Sequence, residues 1–372
     1  MPRVAIVHDW LTGMRGGERC LEVFCRLFPD ADLYTLLHVK GSVSPLIENR
    51  RIVTSFVQDL PAAASKYRSY LPLFPWAVSR WDFSGYDLVL SSSHCVAKGA
   101  RSVKPSRHLC YCYTPVRYAW DLFDDYFGPG RAGLATRLAA GPMMAWLRRW
   151  DRAVSSRVDR FVAISNCVAD RIRRHYGRES QVIYPPVDCT AFKVSLDPGG
   201  YDLVVSALVP YKRVDLAIAA ANRLKRRLVV VGTGPDMTKL KALAGPGSLV
   251  EFAGWQSDAQ LVGWYAGCRS FWFPGLEDFG ITPLEAMASG KPVLAFAAGG
   301  ALETVRGLDF PEPTGVFFRE QSVESLVGAV ETLERERSRI SPEACRARAE
   351  AFDLPRFEQE VRRAVEALMA GG

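Results

Sequence analysis

No run of about eighteen uninterrupted apolar residues occurs in the 372-residue chain, which leaves no candidate for a membrane-spanning helix. The opening MPRVAIVHDWL breaks its short apolar run at His8 and Asp9, so it lacks the hydrophobic region of a secretory signal. Nine cysteines include no C-x-x-C pair. Their scatter through strand-like and helix-like stretches predicts buried cytosolic thiols rather than a metal or redox centre. Internal repeats, disordered tracts and any recognisable RNA or DNA module are also missing, so nucleic acid is not an expected partner. What is present is ordinary for a globular chain of two domains: 48% hydrophobic and 23% charged residues. The formal charge of +7 favours an anionic partner, which a nucleotide, a lipid headgroup or nucleic acid would each satisfy.

The most informative stretch is FWFPGLEDFGITPLEAMASGKPVLAFAAGGALETV, from Phe271 to Val305. Ser270–Phe273 predicts a short buried strand ended by Pro274 and Gly275. Thr282, Pro283 and Glu285 read as an N-cap, a first-turn proline and a capping-box acid, so a helix is expected to start at Pro283. Gly290 stops it, Pro292–Phe296 is the next strand, and Gly299 and Gly300 open a second helical turn. Helix entrances with glycine collect phosphate, because the first amides have no internal partner and a chain without Cβ can be approached closely. Glu277 and Glu285 flank this entrance. Carboxylates would repel phosphate, so their expected partners are neutral hydroxyls of a ribose or hexose. Glu277 also fits a solvated loop acid, and Glu285 a capping box.

Elsewhere strands alternate with helices, which predicts parallel sheets covered on both faces. Arg3–His8 leads through a loop with Gly13, Gly16 and Gly17 to a helix from Glu18 to Leu27. Its glycine spacing is not the dinucleotide G-x-G-x-x-G. Strands at Tyr86–Ser91 and Leu109–Tyr113 end near His94 and Tyr113, where ligands bind in open parallel sheets. Asp124–Asp125 reads as a solvated loop rather than a metal site. PPVD at 185–188 and the Asp197-Pro-Gly-Gly sequence mark the linker. Beyond it the pattern restarts, and ALVPYKR places Lys212 and Arg213 at a helix entrance suited to a diphosphate.

No acid lies between Leu60 and Asp82, while Lys66, Arg68 and Arg80 interleave with Tyr67, Tyr70, Phe74, Trp76 and Trp81. Arg131 to Arg160 carries seven arginines with Met143, Met144, Trp146 and Trp150. Both stretches fit a surface docked on a membrane, and both also fit solvated helix faces over a core.

The run Glu277–Glu285 with FGITPLEAMASGKPV around it resembles the E-x7-E motif of retaining glycosyltransferases of family 4. That resemblance implies α/β architecture of the GT-B class, two Rossmann-like domains with parallel sheets facing across a cleft. Residues 1–190 would form an acceptor-binding domain, 200–352 a nucleotide-sugar domain, and 353–372 a helix crossing back to the first. HDWLTGMRGGE, SSSHCVAKG and YCYTPVRYAWD narrow the similarity to a bacterial polysaccharide mannosyltransferase-like subgroup. The resemblance assigns Glu277 to the transferred sugar, Glu285 to the ribose, and Gly16, Gly17, Gly280, Ile281 and Thr282 to the donor. The subgroup's usual His is Tyr113 here, so Tyr113 or His94 would contact the sugar. The family's usual Arg five places before Lys212 is Ala207, so Arg213 or Arg117 takes that charge, or the phosphate is held with less. Asp121 would meet an acceptor hydroxyl.

The implied activity is transfer of a hexose, mannose from GDP-mannose, to a lipid-linked oligosaccharide in surface polysaccharide assembly. It would need no metal and no cofactor beyond the donor, and would run in the cytoplasm on the inner face of the plasma membrane. The competing readings are a nucleotide-sugar epimerase of the same layout and a non-catalytic nucleotide-sugar-binding protein.

Overall fold

The computed structural model describes residues 2–121, 123, 134–196 and 199–371. Asp124, Asp125, Arg131, Asp197 and Pro198, which figure in the readings above, lie outside those residues. The chain divides into two compact units, one of Met1–Pro185 with Phe357–Gly372 and one of Pro186–Arg356. The division falls inside the PPVD sequence.

The first unit is built on a seven-stranded sheet of β1 (Val4–His8), β2 (Asp32–Thr35), β3 (Ile52–Thr54), β4 (Leu88–Ser93), β5 (Arg107–Cys112), β6 (Arg160–Ala163) and β7 (Ser180–Val182). All its pairings are parallel, in the order β3-β2-β1-β4-β5-β6-β7. The second unit holds a six-stranded parallel sheet of β8 (Tyr201–Val205), β9 (Leu228–Val231), β10 (Val250–Gly254), β11 (Cys268–Phe273), β12 (Val293–Phe296) and β13 (Gly315–Phe318), ordered β10-β9-β8-β11-β12-β13. Strands such as β1 and β9 are buried along their whole length, as parallel strands covered on both faces must be. Each sheet reverses its winding once, between β1 and β4 and between β8 and β11. Those reversal points open a crevice at the carboxyl ends of the strands.

Three strands go beyond the sequence reading: β2, β3 and β13. They are three or four residues long, too short to show a period of their own. Helix starts also move. The first helix runs Gly16–Leu27, so Gly16 and Gly17 form its opening turn rather than a preceding loop.

The helix Leu354–Ala370 buries Phe357, Val361, Ala364, Val365 and Leu368, an i, i+4, i+7 stripe. Phe357 meets the rings of Phe24 and Tyr111 at 5.9 and 5.6 Å. Eight of the nine cysteines are buried and Cys167 is half-buried, and none is in a disulfide. Burial pushes the Cys20 thiol up to about 12, which leaves it unreactive.

The aromatic stretch after Leu60 divides in two. Tyr67 and Phe74 pack on Trp10, with ring centroids 5.1 and 6.1 Å away, and belong to the core. Trp76 is 54% exposed, beside Phe56 and under Arg80. On the helix Leu134–Ser155, Met144 is buried while Trp146 is 45% exposed.

Candidate active site

In the second unit, the loop leaving β8 is shaped by glycines of its neighbour. A Cβ on Gly232 would sit 1.9 Å from the Ser206 carbonyl oxygen, and one on Gly234 would sit 2.3 Å from that of Leu208. The GTGP sequence therefore lets the two loops run backbone to backbone. The chain then makes a short turn, Pro210–Lys212, and passes Arg213 in the left-handed region at φ 53°, an uncommon state for a residue with a side chain. That twist sends the Arg213 guanidinium to Asp215, Nε to Oδ1 at 3.2 Å, and to Gln321 at 3.4 Å. Gln321 in turn donates to the Pro274 carbonyl at 2.9 Å.

At the end of β11, Gly275 lies where a Cβ would come within 2.9 Å of the Lys212 Cα. The two crossover loops thus touch, and the Lys212 ammonium pairs with the Glu277 carboxylate, each side chain 17% exposed. The loop that carries Glu277 is clasped from behind. Gly300 donates its amide to the Glu277 carbonyl at 2.9 Å, and a Cβ on Gly300 would fall 2.3 Å from the Phe279 Cα. Gly300→Ala is therefore expected to push the Glu277 loop out of place and cost about 1–3 kcal/mol of stability. Thermal melting alongside an activity assay would check this, with activity expected to fall further than the melting temperature implies.

The next helix runs Ile281–Ala288, with Gly280 at its N-cap at φ 87° and no side-chain cap. It begins two residues before the expected Pro283, and Thr282 lies inside its first turn. The capping box proposed for Thr282 and Glu285 therefore does not form; Glu285 instead accepts a hydrogen bond from the Tyr265 hydroxyl at 2.6 Å. Gly280, Ile281 and Thr282 present the opening amides of this helix, which no preceding helical carbonyl can reach. Lys212, Glu277 and this helix entrance come together at one reversal point. Arg213 lies beside them, with its charge shared by Asp215.

In the first unit, β1 and β4 bring His8 and Ser92 opposite each other. The His8 Nδ1 and Ser92 Oγ are 2.9 Å apart. Ser92 Oγ lies 2.9 Å from the Tyr113 hydroxyl, which donates to the Gly17 carbonyl at 2.9 Å. Tyr113 thus holds the first turn of the Gly16–Leu27 helix. Burial pushes its hydroxyl well above the usual phenol range. His94 lies across the same reversal point, with Nδ1 3.1 Å from Asp9. Arg117 opens the short helix Arg117–Trp120. Asp121, just beyond, is held by His175 at 3.2 Å and Arg171 at 3.6 Å. Asp9, Ser92, Asp215, Tyr265 and Gln321 are not among the site residues expected from the sequence. Only Asp9 had a local signal, its place immediately after the first strand. Among the described residues no three His, Cys, Asp or Glu side chains converge as a metal site.

Comparison with known proteins matches the two halves separately: Glycosyltransferase Family 4 over residues 14–191 and Glycosyl transferases group 1 over residues 197–352. A GDP-mannose-dependent alpha-mannosyltransferase of Mycolicibacterium smegmatis is 34% identical over 229 residues, covering 58% of this chain and 59% of that protein. The lipopolysaccharide core biosynthesis mannosyltransferase LpsB of Rhizobium meliloti is 28% identical over 243 residues, covering 58% and 64% respectively. The chain therefore spans less than two thirds of either relative. Among solved structures, Anabaena HepE in complex with UDP-glucose aligns with a TM-score of 0.72 at 18% identity, covering 98% of this chain and 99% of that one. Such a likeness speaks to the fold, which is GT-B. Since the two matches follow one another along the sequence and each falls on a parallel sheet with charged loops at its reversal point, this chain belongs to glycosyltransferase family 4.

Proposed function

We propose that the protein is a retaining hexosyltransferase that moves mannose from GDP-mannose to a lipid-linked oligosaccharide in bacterial surface polysaccharide assembly. The observation that carries the reading is the Lys212–Glu277 pair beside the open amides of Gly280, Ile281 and Thr282. It offers a cation and main-chain donors for a diphosphate and a carboxylate for sugar hydroxyls, all at one strand-end crevice. Mannose and guanosine are supported by the name of the mycolicibacterial relative.

In the proposed reaction the bond from the anomeric carbon to the β-phosphate oxygen breaks and the acceptor oxygen bonds on the same face. The acceptor's proton passes to the departing phosphate. Lys212 and the helix amides stabilise the charge gathering on that phosphate, which is where preorganised donors contribute most. Arg213 adds its field from beside Asp215, and Glu285 meets the ribose. Arg117 and Asp121 serve phosphate and acceptor hydroxyl.

Radiolabelled GDP-mannose incubated with the protein and a bacterial lipid extract tests the reading. Label moving into the lipid phase is the expected result. An altered nucleotide sugar without transfer would mark an epimerase, and binding without GDP release a non-catalytic protein.

The acceptor side implies work at the inner face of the plasma membrane. Among the described residues no helix is long and apolar enough to cross a membrane; exposed Trp76 lies under the exposed Arg80, and exposed Trp146 has exposed Arg149 three residues on along its helix. Ring and cation together suit an anionic interface. Co-sedimentation with vesicles containing phosphatidylglycerol is expected to weaken about tenfold in a Trp76→Ser, Trp146→Ser double variant. Unchanged binding would remove these rings from the docking surface.

A further inference from the structure

The carboxylate of Asp9, directly after β1, is fully buried. Its Oδ2 accepts the amides of His94 and Cys95 at 2.7 and 2.9 Å, and its Oδ1 those of Val96 and Ala97 at 2.6 and 2.8 Å. Four amides from one turn fix both oxygens. The His94 ring then lies with Nδ1 3.1 Å from Oδ2, while it packs nearly perpendicular to the Trp10 ring, centroids 4.4 Å apart. The ring cannot turn without losing one contact or the other. Its Nε2 has no protein partner among the described residues, and 31% of the side chain is exposed.

We infer that Asp9 is a positioning residue that fixes His94 so that its Nε2 accepts a hydrogen bond from a saccharide hydroxyl bound at the β1–β4 reversal point. This rests on the glycosyl-transfer reading above. A carboxylate at Nδ1 keeps the proton on that nitrogen, which leaves the lone pair of the neutral ring at Nε2, toward solvent. Tyr113, the other group at this point, directs its hydroxyl proton to Gly17 and holds the fold. Among the described residues His8 Nε2 also lacks a hydrogen-bond partner but is buried, so His94 carries the unused acceptor that a ligand can reach.

The charge states agree. Burial works to raise the Asp9 pKa, but His94, the amides, His8 and Lys98 hold it below the usual carboxylate value, so the group is ionised. Burial lowers the His94 pKa, and the attraction of Asp9 does not restore it. Glu18 on the Gly16–Leu27 helix adds to that attraction, while His8 on β1 and Arg15 before the helix oppose it. His94 is therefore neutral, and competent to accept, at neutral pH.

The test uses the full-length protein in the lipid-extract assay. If the wild type transfers no label, the glycosyl-transfer reading fails, and the dyad with it. If the wild type does transfer, the variants address the dyad alone. His94→Asn, whose amide reaches only as far as Nδ1, is expected to lose kcat/KM about tenfold at neutral pH with an unchanged melting temperature. His94→Gln, whose amide oxygen reaches the place of Nε2, should stay within about threefold of wild type and lose the acidic fall in the pH profile. Asp9→Asn should move that fall to lower pH, because the attraction favouring the charged ring is gone. A cap with no role in substrate contact would leave the profile of all three as in the wild type, and that result, or full activity in His94→Asn, overturns the proposal. Should Asp9→Asn not fold, the Asn and Gln replacements at His94 decide it.

Discussion

Glu277→Ala is expected to lower kcat about 10²–10³-fold while leaving donor affinity unchanged or higher. The asymmetry comes from the ion pair. Lys212 is engaged by Glu277, so a diphosphate must compete with a carboxylate for the ammonium. Removing the carboxylate ends that competition and removes one negative charge from the neighbourhood of the phosphates. In the proposed reaction it also removes the group that orients the sugar, and that loss should appear in turnover. Lys212→Ala should act in the opposite sense on binding, since it deletes the cation and leaves Glu277 facing the phosphates. Its donor KM should rise about tenfold or more along with the fall in kcat. Calorimetric titration with GDP beside steady-state kinetics separates the two. If both variants weaken GDP binding alike, Glu277 holds the loop rather than the sugar.

The second large effect is on stability. Lys98→Met should destabilise the first unit by about 3–5 kcal/mol. Lys98 Nζ and Asp151 Oδ1 are 2.8 Å apart and both side chains are wholly buried. Lys98 also donates to the Cys95 carbonyl at 2.6 Å, and Asp151 Oδ2 accepts from Trp120 Nε1 at 2.8 Å and the Tyr176 hydroxyl at 2.6 Å. Burial alone would lower the Lys98 pKa; Asp151 raises it above the usual value, so the ammonium is charged. Losing the cation strands a charge in the interior. The double variant Lys98→Met, Asp151→Leu should recover part of the loss, since no charge is then unpaired. It should not recover all, because Trp120 and Tyr176 lose an acceptor at about 1–3 kcal/mol each. Denaturant melts of the wild type, the single and the double variant give the comparison. A single variant melting like wild type would show the pair to be dispensable. The same pair ties the turn bearing His94 to the long helix Leu134–Ser155, so activity should soften before the unit unfolds.

Much of the second unit's site was legible because its signals are local. Pro274 and Gly275 end a strand, Gly280 precedes a helix, and Lys212 follows another strand within a few residues. The short pairing strands β2, β3 and β13 were not legible, since three or four residues are too few to show a period. Glu285 misleads for another reason. Its spacing from Thr282 suggests a capping box, but the left-handed Gly280 starts the helix earlier, and Tyr265, twenty residues back, takes the carboxylate. Arg213 looked like a second phosphate cation, and a backbone twist no motif announces gives it to Asp215. Asp9 and His94 are 85 residues apart, and only the sheet order makes them neighbours.

The first unit recruits its last helix from beyond the second unit in the chain, and that has a consequence for synthesis. Until Phe357, Val361 and Ala364 emerge, the rings of Phe24 and Tyr111 and the side chains of Leu109, Val162 and Ile183 lack their cover. The second unit, a continuous stretch, can condense while the ribosome is still at work. The half begun first is therefore the half finished last, and a nascent chain stalled before its final turns would hold an apolar seam open to chaperones.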